Sequence, residues 1–244
     1  LEEKWKKIRI YIKNPFEEIS QALHMTSFGV SGDYRQILLN CLKLGIVDGY
    51  ALYTANNIEE KIYGKPKPKK VFVDLGVIKK DKINIAVHGH LPIFADAIAK
   101  QARKHKNVNV VGVCCSGAFL LNKHGISQAS HVLLQEHVIR TGLVEVMAVD
   151  TQCVMPSLAD IVECFHTKLV TTNEIAKMNN AIHMPIKTTK DAEKVSKKII
   201  EIARENIKNR NSDRINIKDK KIKAMAGFDE GVWVDLDRKL KQKM

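Results

Sequence analysis

The sequence has no stretch of about 18 consecutive apolar residues, the length a membrane-crossing helix needs, so no transmembrane span is expected. A secretory leader is also missing: the opening Leu1-Glu2-Glu3-Lys4-Trp5-Lys6-Lys7 is charged, and no apolar segment of leader type follows it. The first residue is Leu1 rather than methionine, and the natural protein is expected to begin upstream of it. Cysteine is scarce, with five residues at positions 41, 114, 115, 153 and 164. An odd number without a leader argues against a disulfide framework and for a reducing cytoplasm, where grouped Cys and His more often serve metal or redox chemistry. The lack of any Cys-x2-Cys pair argues against a zinc ribbon, and no internal repeat is present. Negative charge is short as well, with 27 Asp and Glu against 40 Lys and Arg, a net +13. The excess lysines are spread over 4–13, 61–70, 187–198 and 218–223 with no base-reading motif. They read as solvated surface, and no nucleic-acid partner is expected.

A hydrophobic fraction of 45% over 244 residues is enough to fill a real core. Pro15 opens a helix to about residue 25, with Phe16, Ile19 and Leu23 at helical spacing. A second helix is expected over 34–44, ended by Gly45, with Ile37, Leu38, Cys41 and Leu42 on its apolar face and Cys41 packed there as a small buried hydrophobe. Lys65-Pro66-Lys67-Pro68-Lys69-Lys70 can neither continue a helix nor sit in a central strand, so it marks a linker. Beyond it, short β-branched runs at 83–87, 108–113, 144–149 and 168–171 alternate with helical stretches at 93–104, 127–141 and 157–164. A charged helix follows over 190–208. This is a βαβ series, and the expected fold class is α/β: a Rossmann-like parallel sheet with flanking helices, preceded by a short helical segment. The expected organisation is 1–64 as the end of a larger helical domain, 65–70 as linker, 71–208 as the Rossmann-like domain, and 209–244 as the start of a further, truncated one. In that tail, 222–228 reads as a strand and 231–243 as a helix.

Ligand sites in parallel α/β sheets form just beyond the carboxyl ends of strands. Three such ends carry unusual residues: His88-Gly89-His90 after 83–87, Cys114-Cys115 after 108–113, and Asp150-Thr151-Gln152-Cys153 after 144–149. Adjacent strands lie about 5 Å apart, so side chains from these ends can converge on one cluster-sized object. Thiolate and imidazole suit iron–sulfur clusters and soft or borderline metals. His88 reads first as an ordinary hydrogen-bonded surface residue, Cys164 as packing on a helix face, and His166 as either a helix cap or a participant in the site.

Val87-His88-Gly89-His90, Gly112-Val113-Cys114-Cys115, Asp150-Thr151-Gln152-Cys153 and Cys164-Phe165-His166-Thr167-Lys168 occur in an order that resembles the anaerobic nickel–iron–sulfur carbon monoxide dehydrogenases of the prismane-like, hybrid-cluster superfamily. Leu44-Gly45-Ile46-Val47-Asp48-Gly49, Leu75-Gly76-Val77-Ile78, Leu134-Gln135-Glu136 and Thr141-Gly142 extend the likeness over most of the chain. The resemblance implies a central fragment of such an enzyme. It implies that His90 and Cys115 bind the iron outside a cubane, that Cys153 binds a cubane iron, and that Cys114 and His88 stand beside the site. The implied cofactor is a Ni-4Fe-4S type cluster, with further [4Fe-4S] clusters in the full-length enzyme. The implied activity is oxidation of CO with water to CO2, two electrons and two protons. Electrons would pass to a ferredoxin-like acceptor from a homodimeric cytoplasmic enzyme, in some cases joined to acetyl-CoA synthase. No catalytic acid–base residue of the family is found in this stretch, and the chain alone is expected to be inactive. It departs from the family's usual Thr-small-Asn-Glu with Ser116-Gly117-Ala118-Phe119, and carries Leu91 where a polar residue is usual. Two alternatives remain: a hybrid-cluster protein of hydroxylamine-reductase type, distinguished by iron without nickel, and a degenerate, cluster-free scaffold or subunit module.

Overall fold

A computed structural model describes residue 3, residue 7, residue 12, residues 14–218 and residues 220–228. The chain forms two compact units, residues 1–65 and 66–244.

The first unit holds helices α1 (Pro15–Met25) and α2 (Tyr34–Tyr63). Asn14 caps α1 by accepting from the Phe16 amide at 3.0 Å, and Asp33 caps α2 by accepting from Arg35 N at 2.9 Å, satisfying amides that have no partner within the helix. The helices contact each other, and Lys43 pairs with the largely buried Glu18 at 3.2 Å. The expected stop at Gly45 does not occur: α2 runs 30 residues, through Gly45 and Gly49, before Gly64 ends it. An interior glycine costs a helix only about 1 kcal/mol relative to alanine, which continuous neighbouring turns absorb. The buried face also differs from expectation. Asn40 and Val47 are buried, while Leu38 is 63% exposed and Cys41 is exposed. Among the described residues one short partner helix covers a narrow stripe of α2, and the wider apolar face read from the sequence is not covered by them.

The second unit is one sheet with helices packed against it. Its strands are β1 (Lys69–Val73), β2 (Ile83–His88), β3 (Val108–Val113), β4 (Gln128–Ser130), β5 (Val144–Val149), β6 (Lys168–Thr171), β7 (Ala181–His183) and β8 (Ile222–Ala226). Their order across the sheet is β7-β6-β5-β2-β3-β4-β1-β8, and every pairing is parallel except β1 with β8. Helices α3 (Pro92–Ala102) and α7 (Thr189–Asn206) pack together, with α7 against β2 and β5. Helices α5 (Gln135–Arg140) and α6 (Ser157–Ile161) form another packed pair. Side chains alternate across a strand. Ala86, Val111, Val113, Met147 and Val149 accordingly share one core cluster with Val138, Ile139 and Leu158. The intervening Ile85, Val87, Val146 and Ala148 are just as buried. Burial on both faces is why these strands read as unbroken apolar runs.

Three segments differ from expectation. Residues 127–141 are not one helix: β4 comes first, then a 3-10 turn at Val132–Leu134, then α5. Pairing of β4 with both β3 and β1 outweighs the local helical spacing. Lys69 and Lys70, read as linker, begin β1. The tail segment read as the start of another domain returns as β8 along β1, Lys69 opposite Ala226. The helix expected at 231–243 lies outside the described residues.

The tail is fastened at the amino edge of the sheet. Glu145 is fully buried and its Oε1 accepts from Arg210 Nη2 at 2.6 Å, Arg210 Nε at 2.9 Å and His166 Nε2 at 3.0 Å, while its Oε2 accepts from the Asn84 amide at 2.6 Å. Arg210 also donates to the carbonyls of Lys80, Lys82 and Leu143. A buried carboxylate persists when paired and hydrogen-bonded in this way.

Candidate metal centre

Chain order runs outward from β2 through β3 and β4, then crosses back to β5, β6 and β7 on the other side of β2. The crevice at the carboxyl ends of β2 and β5 is therefore a topological switch point, the place where open α/β sheets bind ligands. The loops after β2, β3 and β5 meet there. A ring nitrogen of His90, Cys114 Sγ and Cys153 Sγ lie within 4.8 Å of one another.

The loop after β2 reverses at Gly89, whose φ is +124°. A Cβ on Gly89 would run into the Asp150 carboxylate, so only glycine fits. Asp150, 2% exposed, pins the loops together. Its carboxylate accepts from His90 N at 2.5 Å, Leu91 N at 3.1 Å and Thr151 N at 2.5 Å, and Ser116 Oγ lies 3.4 Å away. Burial pushes the Asp150 pKa above the usual carboxylate value, and the amides of His90, Thr151 and Leu91 oppose that shift. His90 Nδ1 is 3.2 Å from the Thr151 carbonyl oxygen. A carbonyl can only accept, so Nδ1 carries the proton and Nε2 keeps the lone pair a metal needs.

Cys114 opens the short helix α4 (Cys114–Phe119) with φ +57°, and is half-buried. Gln152 and Cys153 have φ of +57° and +54°, two consecutive left-handed residues that cost roughly 1–2 kcal/mol each for side chains of this kind. Burial pushes both thiols up: first for Cys114, with the Cys115 thiol adding to it, and first for Cys153, with Cys114 adding to it. Without a metal both are protonated near neutral pH, and binding releases those protons.

The structure places the other sequence-selected residues as follows. Cys115 is exposed and outside the close triad, its sulfur 4.0 Å from that of Cys114. The left-handed turn at Cys114 sends that thiol, rather than its neighbour's, toward His90 and Cys153. His88 is not a surface residue: it is fully buried, with Nε2 2.9 Å from Gln135 Oε1 and 3.1 Å from the Cys153 carbonyl oxygen. Burial lowers its pKa, with the Gln135 and Cys153 contacts opposing the shift. Cys164 does not pack in a helix face; it is exposed in the 3-10 turn Val162–Cys164 leading into β6, at the amino edge opposite the site. His166 is at that edge too, donating to Glu145. Asp150 and Gln135 lie within motifs quoted from the sequence, but sequence reasoning assigns neither a role. The available signal was a polar residue beside uninterrupted apolar runs, which a buried hydrogen-bonding role requires.

The donors are two thiols and one imidazole with no carboxylate among them. This set suits iron, nickel or zinc and not calcium or magnesium.

Comparison with known proteins agrees with this chemistry. The model of the Prismane/CO dehydrogenase family matches residues 1–229. Carbon monoxide dehydrogenase 1 of Methanosarcina mazei is 36% identical over 236 residues, covering 92% of this chain and 37% of that protein. The structure of carbon monoxide dehydrogenase IV from Carboxydothermus hydrogenoformans superposes with a TM-score of 0.87 at 39% identity, covering 99% of this chain and 40% of that one. An as-isolated Ni-free carbon monoxide dehydrogenase from Thermococcus sp. AM4 gives a TM-score of 0.85 at 37% identity, covering 95% of this chain and 38% of that one. The chain thus spans little more than a third of the length of the relatives it matches.

Proposed function

The chain belongs to the Prismane/CO dehydrogenase family, and from that premise we propose that its sheet edge holds part of a nickel–iron–sulfur cluster in a protein that oxidises carbon monoxide. The overall reaction is CO plus water to CO2, two protons and two electrons. The observation that carries the reading is the meeting of His90, Cys114 and Cys153 at the switch point of a sheet whose relatives are carbon monoxide dehydrogenases. We propose His90, Cys115 and Cys153 as ligands, with Cys114 beside them; a cluster several atoms wide spans the 4.0 Å between the paired thiols. When bound, such a cluster supplies a site for CO, acidifies water and accepts the electrons.

The protein's own contribution is to hold the donors. Thr151 fixes the His90 ring through its carbonyl, Asp150 ties the loops after β2 and β5 together, and buried His88 lies beneath the Cys153 backbone. Half-burial around Cys114 limits water on one side of the site. Two or three thiolates do not complete a nickel–iron–sulfur cluster, so further ligands come from the rest of the protein, as do relay clusters. Transfer to a ferredoxin-like acceptor, a homodimeric assembly, a cytoplasmic setting and association with acetyl-CoA synthase belong to the same proposal. Among the described residues no helix is long and apolar enough to cross a membrane.

The test is anaerobic reconstitution with iron, sulfide and nickel, then metal analysis and CO-dependent viologen reduction. Partial loading with nickel and iron, and no turnover by the 244-residue chain alone, is the expected result. Iron without nickel would favour the hydroxylamine-reductase type of hybrid-cluster protein, and a colourless product a cluster-free scaffold. Sustained turnover by this chain alone would overturn the view that its ligand set is partial.

A further inference from the structure

Gln135 is fully buried at the start of α5, and both ends of its amide are committed. Nε2 donates to the Val132 carbonyl at 2.6 Å and to the Cys153 carbonyl at 2.9 Å. Oε1 accepts from Met155 N at 3.0 Å and faces His88 Nε2 at 2.9 Å. Carbonyls only accept and backbone amides only donate, so the orientation of this amide is dictated, and its two donors and two lone pairs are all used. The same reasoning puts the His88 proton on Nε2, which faces two oxygens: Gln135 Oε1 and the Cys153 carbonyl.

These contacts converge on one short segment. Cys153 is held through its carbonyl by Gln135 and His88 together, and Met155 by the opposite face of the same amide. That segment has two consecutive left-handed residues, Gln152 and Cys153, and Cys153 is exposed, so hydrophobic burial does not fix it. Strained backbone of this kind persists only where its surroundings over-determine it.

We propose that Gln135 is a positioning residue for the metal centre: from beneath the sheet edge, with His88 as its partner, it clamps the 152–155 turn so that the Cys153 thiol faces His90 and Cys114. The inference rests on the metal-centre reading above. The turn returns to ordinary backbone geometry when the clamp is removed, and the thiol leaves the triad while the sheet stays intact.

The test is anaerobic cobalt(II) titration of the full 244-residue chain, following the thiolate-to-cobalt absorption, with Gln135→Met and Gln135→Glu beside the unaltered protein. Methionine removes all four contacts at similar length. Ionised glutamate can still accept from Met155 and His88 but can donate to nothing, so it releases the Val132 and Cys153 carbonyls while keeping the other two contacts, and serves where the methionine variant fails to fold. Asn206→Ala is the control: Asn206 is equally buried and donates to the carbonyls of Glu145 and His166, but at the opposite edge of the sheet. Supporting partners behind metal ligands are worth about 10- to 100-fold in affinity. Both Gln135 variants are expected to lose that much with a weakened thiolate band, while Asn206→Ala lowers the melting temperature and leaves band and affinity unchanged. Unchanged cobalt affinity in folded Gln135 variants, or an equal loss in Asn206→Ala, would overturn the positioning role and leave the metal-centre reading standing. No thiolate band in the unaltered chain would overturn that reading and the inference with it.

Discussion

Replacing Gly89 by alanine tests the link from a backbone dihedral to metal binding. With φ at +124°, any L side chain is strained there, at about 1–3 kcal/mol. The added Cβ also has nowhere to go, because it meets the Asp150 carboxylate. Moving that carboxylate breaks at least one of its hydrogen bonds from the His90, Leu91 and Thr151 amides, each worth about 1.5–3 kcal/mol with a charged acceptor. The expected loss is about 2.5–6 kcal/mol, a large part of the roughly 5–15 kcal/mol that holds a domain folded. His90 shifts with its amide, so cobalt affinity falls as well. Gly125→Ala is the comparison: φ there is +68°, but the nearest atom to a new Cβ is Lys69 Cδ at 3.8 Å, so only strain of about 1–2 kcal/mol applies. Urea unfolding and anaerobic cobalt titration measure both quantities. Equal destabilisation by the two substitutions, with cobalt affinity kept in Gly89→Ala, would refute the claim that the glycine exists to admit Asp150.

Arg210→Met leaves the buried Glu145 without its cation, and should cost about 3–5 kcal/mol in urea unfolding, with Glu145→Gln in the same chain recovering part of it. Thr188→Ala removes the capping box of α7, an expected loss of about 1 kcal/mol. Its partner Asp191 is held below the usual carboxylate value, first by the Thr188 hydroxyl and then by the Lys187 and Thr188 amides. A depressed folded value contributes stability above the unfolded one that is lost as pH falls through the folded one, so Asp191→Asn should flatten the acid limb of a melting-temperature profile. The Cys114 and Cys153 thiols are raised, so metal uptake should release protons and tighten as pH rises, and Cys153→Ser should weaken both effects; pH-independent cobalt binding would contradict this. We also propose the Pro-Lys segment 65–70 as an exposed connector, and a broad-specificity protease should cut first there, ahead of the β1 pairing that begins at Lys69.

Much of the fold is readable from local chemistry. The strands 108–113, 144–149 and 168–171 coincide with β3, β5 and β6, because runs buried on both faces must be apolar and β-branched throughout. Pro15 marks the start of α1 because a fixed φ is a property of a single residue. The exceptions depend on distant chain. The three-residue strand β4 exists because β1 and β3 flank it, and β1 acquires its outer neighbour only when the tail returns as β8. α2 continues past Gly45 because nothing in the turn beyond forces a stop.

The site divides in the same way. Residue type and position at strand ends are local, so sequence alone directs attention to His90, the cysteine pair and Cys153. Whether those ends adjoin is settled by the order β5-β2-β3, which follows from the hydrogen-bond ladder and crossovers of the assembled sheet. Residue chemistry alone does not separate the two thiols of the adjacent pair, and the resemblance points to Cys115. A left-handed φ of +57° at Cys114, in the turn that packs α4 onto the sheet end, brings Cys114 rather than Cys115 to within 4.8 Å of the other two donors. Gln135 belongs to a segment that carries the likeness, but its role is not legible in sequence: that role exists only because tertiary packing brings the start of α5, the end of β2 and the turn after β5 within hydrogen-bond reach of one amide.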